Sequence, residues 1–426
     1  MGRKGIVGTI MCGMAATLIL PASASAQQDR VSATEKGSLL VFSKVDIRWD
    51  AAGFLTQDTF ISICNDYPED VKVQMYFING DPPLAAAGAE RAHPGWNWVD
   101  NEIQLTMNEP TCWSAVTGLP EGVSPFASAL DPGFPPGRPD PETGGRMMRG
   151  YIYAWAQNAD GEEIRWNHLA GGACIINYAN ATAWQYNAWA HQVVSAVANG
   201  AQSGTPGVLN LDGVEYAQPF DQLLIQFQAV GSAAFSGPRL VISDTDLTLH
   251  QVSADLRQET DGPLTTKAHF DVWNNNEVKF SGAYRCITCW DQTLLSNYGT
   301  PNHFLLQNLQ TDCGKARIDG LASQLCDLDF DPANNDDFPF PPGPGDNIDP
   351  RDIVSEAAAL IGVIAKQLTF DGGAAFAAAG TNVSGMGVEN AVIQYDTLGA
   401  PPELVDPITE INKVLGKNVL PVGNSK

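Results

Sequence analysis

Residues 268–290 read AHFDVWNNNEVKFSGAYRCITCW. Ala268, Phe270 and Val272 alternate with Lys267, His269, Asp271 and Trp273, the period of two of a half-buried strand. Asn274-Asn275-Asn276 follows as a turn, because asparagine tolerates positive φ and bonds its own backbone. Val278 and Phe280 then start a returning strand. The hairpin ends in Cys286-x-x-Cys289, the densest cysteine pair in the chain. A hairpin of this kind predicts an antiparallel sheet, and the downstream chain is expected to close around it.

The same alternation recurs upstream. Leu39, Val41, Val45, Ile47 and Trp49 share one face of an expected strand, and Lys44, Asp46 and Arg48 share the other. Thr59 to Cys64 and Val71 to Phe77 give two more strands around the turn cluster Asn65 to Asp70. Ile103 to Met107 and Cys112 to Val116 extend the series. Leu119 to Arg146 holds seven prolines, too many for a central strand, since each lacks a ladder donor. It reads as a surface loop, with a partner-docking loop as the sharper alternative. Strands resume over 150–156, turn at Asn158-Ala159-Asp160-Gly161, and continue through 164–169, 173–178 and 184–191.

Ala196 to Val208, rich in Gly, Ala and Ser, reads as a linker between domain 37–195 and a second domain, 209–400. In the second, Leu223 to Phe227 and Leu240 to Val252 are expected strands. Thr311 to Gly320 reads as a polar loop or edge strand, and 327–352 as an acidic, Pro-rich loop. Ile353 to Lys366 fits a short helix opened by Asp352 or a strand, and Asn390 to Asp396 a closing strand. The tail, 401–426, carries a short helix pattern at Ile408, Ile411 and Leu415. The expected class is all-β: two antiparallel β-sandwich domains of immunoglobulin-like type with a minor C-terminal helix.

Residues 1–26 have the pattern of a signal peptide. Arg3 and Lys4 are followed by an apolar run, and Ala24-Ser25-Ala26 matches the small-x-small cleavage rule. A membrane helix is the alternative, but the run is short and nothing anchors its far side. Cys12 leaves with the peptide, and 27–36 is a loose leader. No other stretch reaches about 18 uninterrupted apolar residues, so no span is expected after cleavage. The chain carries 48 acids against 24 bases, a formal charge of −24. That field repels phosphate backbones and argues against nucleic-acid binding. It suits an extracellular protein kept soluble by like charge, or one that recruits divalent cations.

Four late cysteines form the strongest constellation: Cys286, Cys289, Cys313 and Cys326. Four thiolates can close a tetrahedral zinc site. Two disulfides are the favoured reading, because the last two lack short spacing and an exported chain meets oxidising conditions. Three pairings are open. Cys64, Cys112 and Cys174 leave an odd count, so one thiol is free or pairs with another chain. Asp327, Asp329, Asp331, Asp336 and Asp337 are candidate calcium ligands, since alternate carboxylates converge on a hard cation. Pro332 and Phe338 break the helix-loop-helix pattern, and a solvated acidic loop is the plain alternative. Trp96, Trp98, Trp184 and Trp189 sit in polar stretches and are candidate platforms for sugar rings, against the commoner role of filling a core. No phosphate loop, His-Glu-x-x-His or Gly-x-Ser-x-Gly occurs, so no catalytic residue is assigned.

LTQDTFISICNDYPEDVKVQMYFING, IRWNHLAGGACIINY, WQYNAWAHQ, FDVWNNNEVKFSG, RCITCW and KARIDG together resemble modules of uncharacterised exported bacterial β-sandwich proteins. The resemblance implies export and β architecture, and carries no activity. The expected function is a secreted, non-enzymatic surface, matrix or binding protein that contacts protein or glycan, with calcium as a candidate ligand and self-association through strand edges. The alternative is an extracellular hydrolase acting on polysaccharide or ester.

Overall fold

The structure is a computed structural model that describes residues 30–80, 98–126, 138–140, 143–236, 239–252, 256, 265–299, 301–326, 355 and 357–386. The chain is all-β, and its strand ladders are antiparallel. The first half holds β1 (Leu39–Trp49), β2 (Leu55–Asn65), β3 (Val71–Asn79), β4 (Trp98–Leu105), β5 (Pro110–Ser114), β6 (Arg138–Pro139), β7 (Arg146–Gln157), β8 (Leu169–Asn177), β9 (Thr182–Asn187) and β10 (Trp189–His191). The second holds β11 (Gln222–Gln228), β12 (Ala233–Ser236), β13 (Arg239–Val252), β14 (Thr265–Asn274), β15 (Lys279–Thr288), β16 (Trp290–Leu294), β17 (Cys313–Leu321), β18 (Ala359–Phe370), β19 (Ala375–Asn382) and β20 (Ser384–Met386). No described helix is long and apolar enough to cross a membrane.

The first ten strands form one sheet with the path β4-β3-β7-β1-β2-β8-β9. β1 and β2 pair only at Arg48↔Gln57 and Trp49↔Leu55. From that short hinge two wings diverge, and one core cluster takes Phe42, Val73, Phe77 and Ile152 from one wing and Ile61 and Ile175 from the other. The second half forms two five-stranded sheets, β15-β14-β17-β11-β20 and β12-β13-β18-β19 with β16 beside β13. Their inner faces supply Phe270, Ile318, Leu249 and Ile361 to a second cluster, which also contains Leu39, Val41, Tyr153 and Trp155 of the first half. One apolar core therefore runs across both halves.

The hairpin read from the sequence is present: β14 pairs with β15 through Val272↔Phe280, and Ala268, Phe270 and Val272 are fully buried. The Asn274 side chain accepts from the backbone N–H of Asn276 and Val278, both at 3.0 Å. The positive φ, 63°, falls on Glu277 rather than on an asparagine. Cys289 also lies in the left-handed region, at φ 61°. There the chain leaves β15, in one sheet, and enters β16, in the other.

Several expectations need correction. Thr311 to Gly320 is neither loop nor edge, because β17 lies inside its sheet between β14 and β11. Its alternate residues Ala316 and Ile318 are fully buried, which outweighs its polar composition. Of the stretch read as helix or strand, the part from Ala359 on is strand β18, whose pairing with β13 runs from Val252↔Ala359 to Val241↔Phe370. β19, AFAAAGTN, was not anticipated, because alanine and glycine carry little strand signal. The face assigned to β1 is split. A bulge between Phe42 and Val45 sends Leu39 and Val41 to one cluster, and Leu40, Phe42, Val45 and Ile47 to the other. Apart from these corrections, residues within 196–208 make backbone hydrogen bonds to the turn before β8: Arg165 N donates to Ala201 O at 2.8 Å and Ser203 N to Glu163 O at 2.9 Å. The signal peptide, most of the acidic loop, the Asn390–Asp396 strand and the C-terminal helix lie outside the described residues.

Candidate functional site

The bulge in β1 creates the site. Skipping a ladder position turns Lys44, Asp46 and Arg48 together toward a cleft between the two halves. The bulge is held by side chains. The Tyr186 hydroxyl accepts from Lys44 N and donates to Lys44 O, and Trp290 Nε1 donates to Ser43 O at 2.8 Å. The opposite wall comes from β13 and β16, which bring Asp246 and Gln292. The chain reaches Gln292 just after the Cys289 corner, so the stretch that sets the hairpin also supplies the site.

The wider compartment of the cleft has a volume of about 310 Å³. Lys44 and Asp46 are each only 2% exposed. Lys44 Nζ donates to Asp246 Oδ2 at 2.7 Å and lies 4.0 Å from Asp46 Oδ2. Arg48 forks onto Asp46, with Nε to Oδ1 at 3.0 Å and Nη2 to Oδ2 at 3.2 Å. Its other terminal nitrogen stands 3.6 Å from Asp140, a buried residue at the end of the Pro-rich segment. Burial by itself would raise the Asp46 carboxyl, but the Arg48 and Lys44 cations outweigh it and hold the group well below the usual carboxylate range. Gln292 Nε2 donates to both carboxylates, at 3.1 Å to Asp46 Oδ2 and 2.8 Å to Asp246 Oδ2.

Two acceptors remain. Asp246 and Gln292 line the cleft, and Asp246 Oδ1 and Gln292 Oε1 are buried with no hydrogen-bond partner among the described residues. A buried acceptor left unmatched costs about 1–3 kcal/mol, so this cleft favours a ligand that brings hydrogen-bond donors. Beside them Trp184 forms a half-buried aromatic wall, with Lys44 Nζ 5.5 Å from its ring centroid. The backbone of β19 presses on the indole: a Cβ built on Gly380 would come within 1.8 Å of its Cε3. Asn382 completes that junction by accepting from Asn187 N at 3.1 Å and donating to Asn187 O at 2.8 Å.

Of the sugar-platform candidates, Trp184 alone is placed at this cleft by the described residues. Trp189 is 3% exposed, donates from Nε1 to Gly362 O at 3.2 Å, and belongs to the core. Trp98 begins β4 with its side chain outside the described set, and Trp96 lies outside it altogether. Asp327, Asp329, Asp331, Asp336 and Asp337, the candidate calcium ligands, also lie outside. The four late cysteines do not act as one set. Cys286 and Cys326 form a disulfide across a separation of 40 residues, while Cys289 is a buried cysteine outside that disulfide and Cys313 an exposed one. Among the described residues no group of three or more His, Cys, Asp or Glu is placed to hold a metal ion. Cys64, Cys112 and Cys174 are free on neighbouring strands β2, β5 and β8.

Lys44, Asp46 and Arg48 carry a sequence signal, three alternating charges that share one face of a strand, but that pattern does not say what covers the face. Asp140, Asp246 and Gln292 had none. Among the described lining residues there is no serine, cysteine or histidine, so a nucleophile with a histidine base is not built here.

A second buried polar set lies between the same halves. The Tyr153 hydroxyl and His250 Nε2 share a hydrogen bond of 2.7 Å, and the Tyr151 and His250 ring centroids are 4.2 Å apart. His191 Nδ1 donates to Ala217 O at 2.7 Å. Burial lowers His191 from 6.5 to about 4; burial, with His191 nearby, lowers His250 to about 3. Comparison with known proteins adds no name: no family profile and no curated protein matches the chain.

Proposed function

We propose that the chain is an exported, non-enzymatic binding protein that holds a glycan in the cleft between its halves, on a scaffold of two immunoglobulin-like sandwich units. The observation that carries this reading is the pair of unmatched buried acceptors, Asp246 Oδ1 and Gln292 Oε1, beside the indole of Trp184. Sugars offer what this surface asks for: hydroxyl donors on the rim of the ring and a C–H face for an aromatic wall. The charges around them are paired with one another, which favours holding over proton transfer. The signal-peptide pattern and the resemblance to exported bacterial proteins support a place outside the cytoplasm.

The test is a glycan array followed by calorimetry on the mature protein. Trp184→Ala is expected to weaken binding by about tenfold or more, in line with the loss of an aromatic contact and its buried area. A wild-type protein that binds no glycan at millimolar concentration sinks the reading.

One observation favours hydrolysis as a second reading: two carboxylates, Asp46 and Asp246, converge on one amide nitrogen. Carboxylate pairs drive glycoside cleavage when one is protonated. Slow release of reducing ends, abolished in Asp246→Asn, would replace the binding reading with this one.

A further inference from the structure

The cleft has a second compartment. It has a volume of about 150 Å³ and shares Gln57, Ile175, Asn177, Asn180, Trp184 and Gln367 with the first. The two differ in chemistry. The wider one is charged, with Lys44, Asp46, Arg48 and Asp246 at its walls. The narrower one has no charged residue among its described lining; Gln57, Asn177, Asn180, Thr182, Gln367 and Thr369 supply its polar groups. Its outer wall is Phe376 on β19, an aromatic ring that is 40% exposed although it belongs to a β-sheet.

Strand register explains why the compartments join end to end. Gln57 pairs with Asn177 and Asn177 with Thr182, so one polar row crosses β2, β8 and β9. One step along, Ile175 pairs with Trp184. On the opposite wall Gln367 pairs with Ala378 and Thr369 with Phe376. Trp184 thus stands where the charged compartment ends and the neutral one begins, with Phe376 beyond it. Alanine at 377 and 378 keeps the β19 wall low between the two aromatics.

We infer that the cleft is a groove for an oligosaccharide, not a pocket for a single sugar. One unit sits over Asp246 and Gln292, the chain crosses Trp184, and Phe376 is a second aromatic platform for a following, uncharged unit. This rests on the glycan reading of the cleft. Phe376 and the neutral compartment determine the length of chain that is recognised, whereas the charged compartment determines whether a sugar binds at all.

The experiment is calorimetry of the full mature chain with three probe series: α-1,4-linked glucose, β-1,4-linked glucose and β-1,4-linked N-acetylglucosamine, each from monosaccharide to hexasaccharide. In the series that binds, affinity is expected to rise by about tenfold as the chain lengthens past the first unit and then to level off. Phe376→Ala should remove that rise, so that the longer chains bind no more tightly than the monosaccharide does. Phe376→Tyr should restore it, which separates loss of a platform from damage to β19. Trp184→Ala should weaken every length. Affinity that does not depend on length, or a Phe376→Ala variant that weakens monosaccharide and trisaccharide equally, overturns the groove while leaving a sugar pocket. Absence of binding by every probe to the wild-type protein fails the glycan reading itself.

Discussion

The cleft and the histidine–tyrosine cluster lie between the same two halves, yet they handle buried polarity in opposite ways. In the cleft acids face bases: Lys44, Asp46, Arg48 and Asp246 pair with one another within a few ångströms, and two buried acceptors on lining residues stay unmatched among the described residues. In the cluster the groups are neutral. Tyr153 and His250 stack, Tyr151 packs tilted against both, and burial has driven both histidines to their uncharged forms. Desolvated charge survives only where partners or an incoming ligand repay it, whereas neutral aromatics can close an interface by packing. The cluster too keeps buried atoms unmatched among the described residues, Tyr151 Oη, His191 Nε2 and His250 Nδ1, so the two sites differ in their paired acids and bases and in the adjoining cavity.

The largest way to break that contrast is to remove one charge from the cleft. Lys44→Met leaves Asp246 without its 2.7 Å cation, with only the neutral Gln292 amide on it, and Asp46 with Arg48 and that amide. Stranding a buried carboxylate costs about 3–5 kcal/mol, read as a fall in the free energy of urea unfolding. Adding Asp246→Asn should return part of it, because the stranded charge is then gone. A single variant within about 1 kcal/mol of the wild type would mean that solvent already screens the cluster.

Acid attacks the other site. The folded-state values of His191 and His250 lie below 6.5, so between pH 6.5 and about 4 the unfolded chain binds more protons than the folded one. Their contribution is complete above pH 6.5 and is lost as the pH falls toward 4. For His191 alone the shift corresponds to about 3 kcal/mol. The raised carboxyl of Glu215, pushed up to about 8 chiefly by burial, gives the opposite slope between 4.5 and 8. The clean measurement is therefore the difference in urea stability between wild type and His250→Gln across pH 4 to 7. Gln can still meet the Tyr153 hydroxyl but takes up no proton, so the variant should lose less stability on acidification. Parallel curves would show that His250 titrates normally. Asp46 does not confuse this window, since its lowered value moves its own loss below pH 3.8.

What could be read from the sequence divides along the same line. Ala268, Phe270 and Val272 announce their strand by local alternation, and packing agrees. Lys44, Asp46 and Arg48 alternate just as plainly, but alternation says only that they share a face, not what covers it. The cover is Asp246 and Gln292, 202 residues and more away along the chain, with no local pattern to mark them. The bulge at Phe42–Val45 was equally silent, because nothing in FSKV breaks strand propensity. Trp184 was legible as a candidate from its polar neighbours, yet Trp189 had the same neighbours and is core. β19 and Phe376 escaped because an alanine-rich strand has too little hydrophobic contrast to show a period.

The smallest expected effect tests the bulge that links the two sites. Tyr186 is buried, and its hydroxyl serves both the N–H and the C=O of Lys44, which the ladder skips. Tyr186→Phe keeps the ring and removes only the oxygen, leaving two backbone groups unmatched at a cost of about 1–3 kcal/mol. If the hydroxyl also aims Lys44, ligand affinity should fall several-fold together with stability, because Lys44 holds Asp246 in place under the unmatched acceptor. A variant that loses stability and keeps its affinity would give that role to the ion pairs. The bulge would then be a packing feature of β1, and the charged wall of the cleft would be set by Asp46, Arg48 and Asp246 among themselves.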